Sequence, residues 1–201
     1  MKLFYSPGAC SLAAHMVAYE AGLALDLVKV DLSSHKTETG EDFFAINSKG
    51  YVPALRLADG AVLTENQAVL PYLADQAPQS GLMPAAGGLE RYRVQEWLGF
   101  IGTELHKNFG PLWNPAAAEA AKDAARAMLA KRFAWLDAQL ADRAYLMGET
   151  FTVADCYAFV VLAWTGYHKL DMTPYPNLRA YQARIGARPA VQRALADEGL
   201  V

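Results

Sequence analysis

The sequence predicts two folded units in series, a small α/β domain on a four-stranded mixed sheet and then an all-helical domain. Three observations predict this. Residues 1–77 alternate between short β-type apolar runs and helical stretches. Residues 78–88, Pro-Gln-Ser-Gly-Leu-Met-Pro-Ala-Ala-Gly-Gly, carry no charge and are rich in Pro and Gly, as an inter-domain linker is. Residues 89–201 show helical spacing throughout. Charge divides along the same line. Residues 1–77 hold 5 basic and 9 acidic residues, a balance of −4, and residues 89–201 hold 13 and 12, a balance of +1.

Lys2–Tyr5 reads as the first strand. Ser11–Ala21 follows as a helix, with Leu12, Met16 and Tyr19 on one face and Gly22 as its stop. Leu25–Val30 is a second strand, and Asp42–Ile46 fits a short helix. Ala54–Leu57 and Val62–Leu63 flank Ala58-Asp59-Gly60-Ala61, a hairpin with the Asp-Gly turn signal. Thr64-Glu65-Asn66 opens a helix to about Gln76; Thr64 is its cap, and Gln67 stands three residues on, as in a capping box.

In the second unit, Leu89–Phe109 reads as one long, aromatic-rich helix. Ala117–Leu140 places Met128, Leu129, Phe133, Leu136 and Leu140 at helical spacing. Thr152 caps a third helix, with Asp155 reaching back in place of the usual Glu. That helix is apolar nearly all round to about Gly166, which predicts the buried centre of the domain. Pro174–Ile185 and Pro189–Asp197 are the last two helices.

At 201 residues, 53% hydrophobic and 19% charged, the chain has the composition of a globular protein with a sizeable core. No apolar run approaches the roughly 18 residues of a membrane helix. The N-terminus has no basic region leading into an apolar stretch and a cleavage site. A net charge of −3 is too small to suggest a nucleic-acid partner. The two cysteines, Cys10 and Cys156, form neither a CxxC motif nor a zinc pattern. A cytoplasmic, reducing compartment is expected, with no membrane, nucleic-acid or metal partner.

Cys10 stands where a strand and a Pro-Gly turn run into a helix. The positive end of the helix dipole favours thiolate there, although cysteine is equally often a small buried hydrophobe. Cys156, inside the apolar helix, reads as packing. Tyr5 and Ser11 flank Cys10 with hydroxyls able to reach a thiolate, but also fit as a core residue and a helix cap. Pro53, after Val52, by itself favours an ordinary trans strand start over a cis turn that would leave the Val52 backbone free for a ligand. Glu65-Asn66, in a first helical turn, alone favours dipole complementation by Glu65 over capture of a zwitterion. His106-Lys107 follows Thr103 on one helix face. A lone histidine there is more often a satisfied surface or core residue than a catalytic one.

Together these residues resemble the bacterial beta-class glutathione S-transferases over essentially the whole chain. The resemblance rests on Lys-Leu-Phe-Tyr-Ser-Pro-Gly-Ala-Cys10-Ser-Leu, Gly-Tyr-Val52-Pro53-Ala-Leu, Leu-Thr-Glu65-Asn66, Glu96-Trp97-Leu, Thr103-Glu-Leu-His106-Lys107 and Phe151-Thr-Val-Ala-Asp155. It implies a thioredoxin-like N-terminal domain, an all-helical C-terminal domain, a homodimer, and glutathione as cosubstrate. It makes the bond before Pro53 cis and pairs the Val52 backbone with glutathione as an added strand would. It gives Glu65 and Asn66 the γ-glutamyl end, sets Cys10 beside the glutathione sulfur, and brings His106, Thr103, Glu104 and Lys107 from the long helix, partly across the dimer interface. Its glycyl-carboxylate site falls on His35, where the family often has Lys. Gly99 stands where the family often has Asn, and Asn66 where it often has Gly or Ser; weaker glutathione binding is expected. The implied reaction is conjugation of the glutathione thiolate to a hydrophobic electrophile, with His106 assisting and Cys10 positioning glutathione or exchanging disulfides with it. The alternatives are a monothiol redox enzyme, a glutathione-dependent dehalogenase, and a non-catalytic binder of hydrophobic ligands.

Overall fold

A computed structural model describes all of residues 1–201. Strands β1 (Lys2–Tyr5), β2 (Asp26–Asp31), β3 (Lys36–Thr37), β4 (Ala54–Arg56) and β5 (Val62–Thr64) form one sheet in the order β3-β2-β1-β4-β5. β1 runs parallel to β2 and antiparallel to β4, and both outer pairs are antiparallel. The sheet therefore has five strands, not the four expected. The extra one, β3, is two residues long and too short to show an alternating pattern.

Side-chain alternation makes β1 the centre. Leu3 and Tyr5 point to one face and join a core cluster of 39 buried residues drawn from both halves of the chain. Phe4 points to the other and packs with Val30, Phe43, Val52 and Ala54. Helix α1 (Leu12–Glu20) ends where expected. Gly22 has φ +69°, and the Leu23 N–H closes on the Ala18 carbonyl at 2.8 Å. Helix α2 (Phe43–Ile46) is capped by Asp42, whose carboxylate accepts the Phe44 N–H at 3.0 Å. Helix α3 (Asn66–Asp75) does not begin as predicted. Thr64 is the last residue of β5, so the cap position falls to Glu65, and no side chain caps the helix.

The uncharged stretch 78–88 is more than a connector. Leu82 and Met83 are buried in the core, and the Leu82 carbonyl accepts the Val153 N–H at 3.0 Å. The long helix is broken into α4 (Leu89–Phe100), a π-helical turn at Ile101–Leu105, a 3-10 turn at His106–Phe109 and the short α5 (Gly110–Trp113). A π turn carries one residue more than an α turn, so residues beyond it are rotated by ~100° about the axis. Helix α6 (Glu119–Gln139) buries Leu129, Phe133 and Leu136, with Leu140 just beyond it. Met128, predicted on this stripe, is exposed instead, because it sits about 100° around the helix from Leu129.

Helix α7 (Val153–Tyr167) is the buried centre that its composition predicts. The capping box is present, with the Asp155 carboxylate accepting the Thr152 N–H at 2.8 Å. Helices α8 (Pro176–Gly186) and α9 (Pro189–Asp197) each start on proline, whose missing N–H costs nothing there. No helix is long and apolar enough to cross a membrane.

Candidate active site

A cleft of about 760 Å³ opens between the two halves. The α/β half lines it with the Pro7–Cys10 turn, His35, Val52-Pro53 and Glu65-Asn66. The helical half lines it with His106, Lys107, Trp113, Tyr157 and Trp164.

Val52 and Pro53 lie just before β4, and the bond between them is cis. The Val52 N–H has no partner within the chain. Its carbonyl accepts the Cys10 thiol, with Sγ at 3.1 Å. Cys10 precedes Ser11, the residue at the cap position of α1. Cys10 is partly exposed, and its surroundings favour the thiol over the expected thiolate. Burial pushes the Cys10 thiol up to about 12, and the Glu65 charge adds to the rise. The N–H groups of Cys10 and Ser11 and the charge of Lys107 pull the other way. The helix start thus acts as predicted, but desolvation outweighs it.

Glu65 holds a left-handed conformation, φ +69°, unusual for a residue with a side chain. Its carboxylate pairs with Lys49 Nζ at 2.5 Å. Asn66 is buried. Its amide Nδ2 donates to the Cys10 carbonyl at 2.9 Å, while its Oδ1 has no partner. His35, at φ +51°, lays its ring on Phe44 with centroids 4.3 Å apart, and the two rings leave no room for a Cβ at Gly50.

His106 comes into the cleft just after the π turn. Its Nδ1 is 2.6 Å from the Tyr157 hydroxyl, and its ring meets Trp164 edge-on with centroids 4.8 Å apart. Burial, aided by the Lys107 charge, lowers its pKa to about 4, so the ring is neutral at physiological pH. Trp164 donates Nε1–H to the Gly8 carbonyl at 2.9 Å, and its edge meets Trp113, which leads to the exposed ring of Tyr167.

Four of the expected site residues lie elsewhere in this chain. Tyr5 faces α1, with its ring 6.2 Å from that of His15. Ser11 is fully buried and closes the turn, its Oγ accepting the Ser6 N–H at 3.1 Å. Thr103 is exposed and donates to the Gly99 carbonyl at 3.1 Å, while Glu104 pairs with Arg132 at 2.5 Å. Tyr157 and Gln67 are among the cleft residues that the sequence did not reveal. Tyr157 was hidden because α7 is apolar on every side. Gln67 is not part of a capping box; it lies against Gly102 within the π turn. The glycine inside that helical run was the one local signal.

Residues 8–76 match the model of the glutathione S-transferase N-terminal domain, and residues 100–189 that of the C-terminal domain. The chain is 46% identical over 200 residues to glutathione S-transferase GstA of Escherichia coli O157:H7, across the full length of both. Its fold superposes on a sphingomonad glutathione S-transferase complexed with glutathione, at a TM-score of 0.97 and 52% identity over all of both chains. It superposes equally, at 0.97 and 51% over all of both chains, on the bacterial beta-class enzyme of Sphingomonas chungbukensis. The chain therefore belongs to the glutathione S-transferase family, in its bacterial beta class.

Proposed function

We propose that the cleft binds glutathione and that the chain joins the glutathione thiolate to small hydrophobic electrophiles. The observation that carries this is the two-sided cleft. One wall offers a free Val52 N–H, the Glu65 carboxylate and Asn66; the other is the aromatic surface of Trp113 and Trp164. A peptide can lie on the first wall by strand-like pairing with Val52, its amino end at Glu65 and its glycyl carboxylate towards His35. An apolar electrophile fits the second. The sphingomonad relative is a complex with glutathione.

In this reading His106 and Lys107 face the sulfur, and Cys10 lies beside it. Detoxification of hydrophobic electrophiles in the cytoplasm is the corresponding role. The stripe Tyr92, Glu96, Gly99 and Thr103 on α4 and its π extension is exposed, with Gly99 half-buried, and is the proposed contact with a second copy; Thr103 and Glu104 would serve the partner's cleft edge. Cys10 exchanges with glutathione disulfide, forming a mixed disulfide and releasing one glutathione.

Turnover of an activated aryl halide with glutathione, by wild type and Cys10→Ala, tests the reading. Conjugation persists in both, because glutathione itself is the nucleophile. Intact mass after treatment with glutathione disulfide rises by one glutathione in wild type alone. Disulfide reduction that survives Cys10→Ala would remove the redox role. Absence of turnover alongside tight dye binding would turn the reading into that of a binder.

A further inference from the structure

We propose that Tyr157 is a positioning residue that fixes the tautomer of His106, so that His106 presents an Nε2–H donor to the cleft rather than a basic lone pair. The inference rests on the reading of the cleft as a thiolate-binding site.

The direction of the hydrogen bonds is set by three neighbours. The Cys10 carbonyl can only accept, so the Asn66 amide nitrogen must face it, as the 2.9 Å contact requires. That orientation leaves Asn66 Oδ1 without a partner. The Tyr157 hydroxyl therefore does not donate to the Asn66 carbonyl oxygen. The Tyr157 proton has one acceptor within reach, His106 Nδ1 at 2.6 Å. Tyr157 is only 3% exposed, so water is a poor alternative, and an unpaired buried O–H is costly. A neutral imidazole that accepts at Nδ1 carries its proton on Nε2. That nitrogen has no partner in the chain and is not buried, and His106 lines the cleft.

A donor at that point stabilises a sulfur anion; a lone pair would repel it. The Tyr157 hydroxyl of α7 thus sets the chemical sense of the His106 ring.

Long-range proton–nitrogen NMR of the four histidines in the free protein tests this, with the His106 signals identified by their loss in His106→Gln. The expected spectrum has Nε2 protonated and Nδ1 unprotonated at neutral pH. A protonated Nδ1 overturns the proposal. Tyr157→Phe should release the tautomer towards a mixture, and an unchanged spectrum in that variant also overturns it. In kinetics, Tyr157→Phe should lower kcat about tenfold with little change in the glutathione KM, as loss of one hydrogen bond to a charged state implies. His106→Gln, which keeps a donor near the Nε2 position, should exceed His106→Leu in kcat. Equal loss in the two would overturn the donor role. The NMR readings need neither glutathione nor electrophile, so they stand apart from any failure of the conjugation reading.

Discussion

At Cys10, two electrostatic effects of opposite sign meet on one sulfur. Backbone N–H groups at a helix start favour thiolate, and enclosure in the cleft floor favours thiol. Enclosure wins, carrying the thiol up to about 12. At pH 8 the thiolate fraction is then ~1 in 10⁴, against roughly a quarter for a free cysteine of pKa ~8.5. Alkylation of Cys10, monitored by peptide mapping, should be slow and should climb steadily with pH beyond 9. A plateau near pH 8.5 would show an ordinary thiol. The sign also carries to stability. The folded state holds its proton to higher pH than the unfolded one, so this contribution is present below ~8.5 and is lost as pH rises towards 12. Position in the sequence showed where the sulfur would be. It did not show the enclosing wall, which comes from Val52 and Glu65, more than forty residues away.

Helix α7 shows what a single element can and cannot declare in sequence. Its cap was legible because Thr152 and Asp155 act within one turn. Its contacts were not. Asp155 Oδ1 also accepts the Leu146 N–H at 2.9 Å and the Tyr181 hydroxyl at 2.8 Å, so the carboxylate joins three segments of the core. Burial raises the Asp155 pKa against these hydrogen bonds, which lower it. Removing the carboxylate relieves its desolvation but leaves two N–H and two O–H groups unpaired in the core, and the second effect is larger. Asp155→Ala should cost about 3–4 kcal/mol and lower Tm by about 10 °C. Asp155→Asn, which keeps one acceptor oxygen, should lose about half as much. Calorimetry on both variants checks this, and equal Tm values for the two would show that charge, not acceptor count, matters. The long helix was the opposite case. Aromatic periodicity ran unbroken from Leu89 to Phe109, yet close contact with Gln67 at Gly102 accompanies a π turn whose one local signal was that glycine.

Across the whole molecule, the cleft turn is held by residues far along the chain. The Gly8 carbonyl accepts from Trp164 at 2.9 Å, and the Gly8 N–H donates to Glu198 at 2.9 Å. Both sides of that glycine are thus fixed by the helical half. Glu198 is buried and also meets His15 of α1, with Nδ1 to Oε1 at 3.1 Å. Beside it, Arg188 at the start of α9 holds Glu20 at the end of α1 through two contacts of 2.6 and 2.7 Å. The last helix therefore clamps the first and, through Glu198, shapes the Pro7–Cys10 wall of the cleft. No local pattern announced this clamp, because the partners are about 190 residues apart and Glu198 ends an ordinary charged helix. Glu198→Ala strands the Gly8 N–H and the His15 ring, at a cost of about 3 kcal/mol for breaking a buried, charge-assisted pair. Tm should fall by about 6–12 °C. Because the freed turn lines the cleft, glutathione binding should weaken as well, while Arg188→Ala, which loosens the same helix without touching Gly8, should lower Tm and leave the glutathione Kd nearly unchanged. Titration calorimetry on both variants decides the point. Equal weakening in the two would mean that helix docking as a whole, and not the Gly8 contact, controls the site.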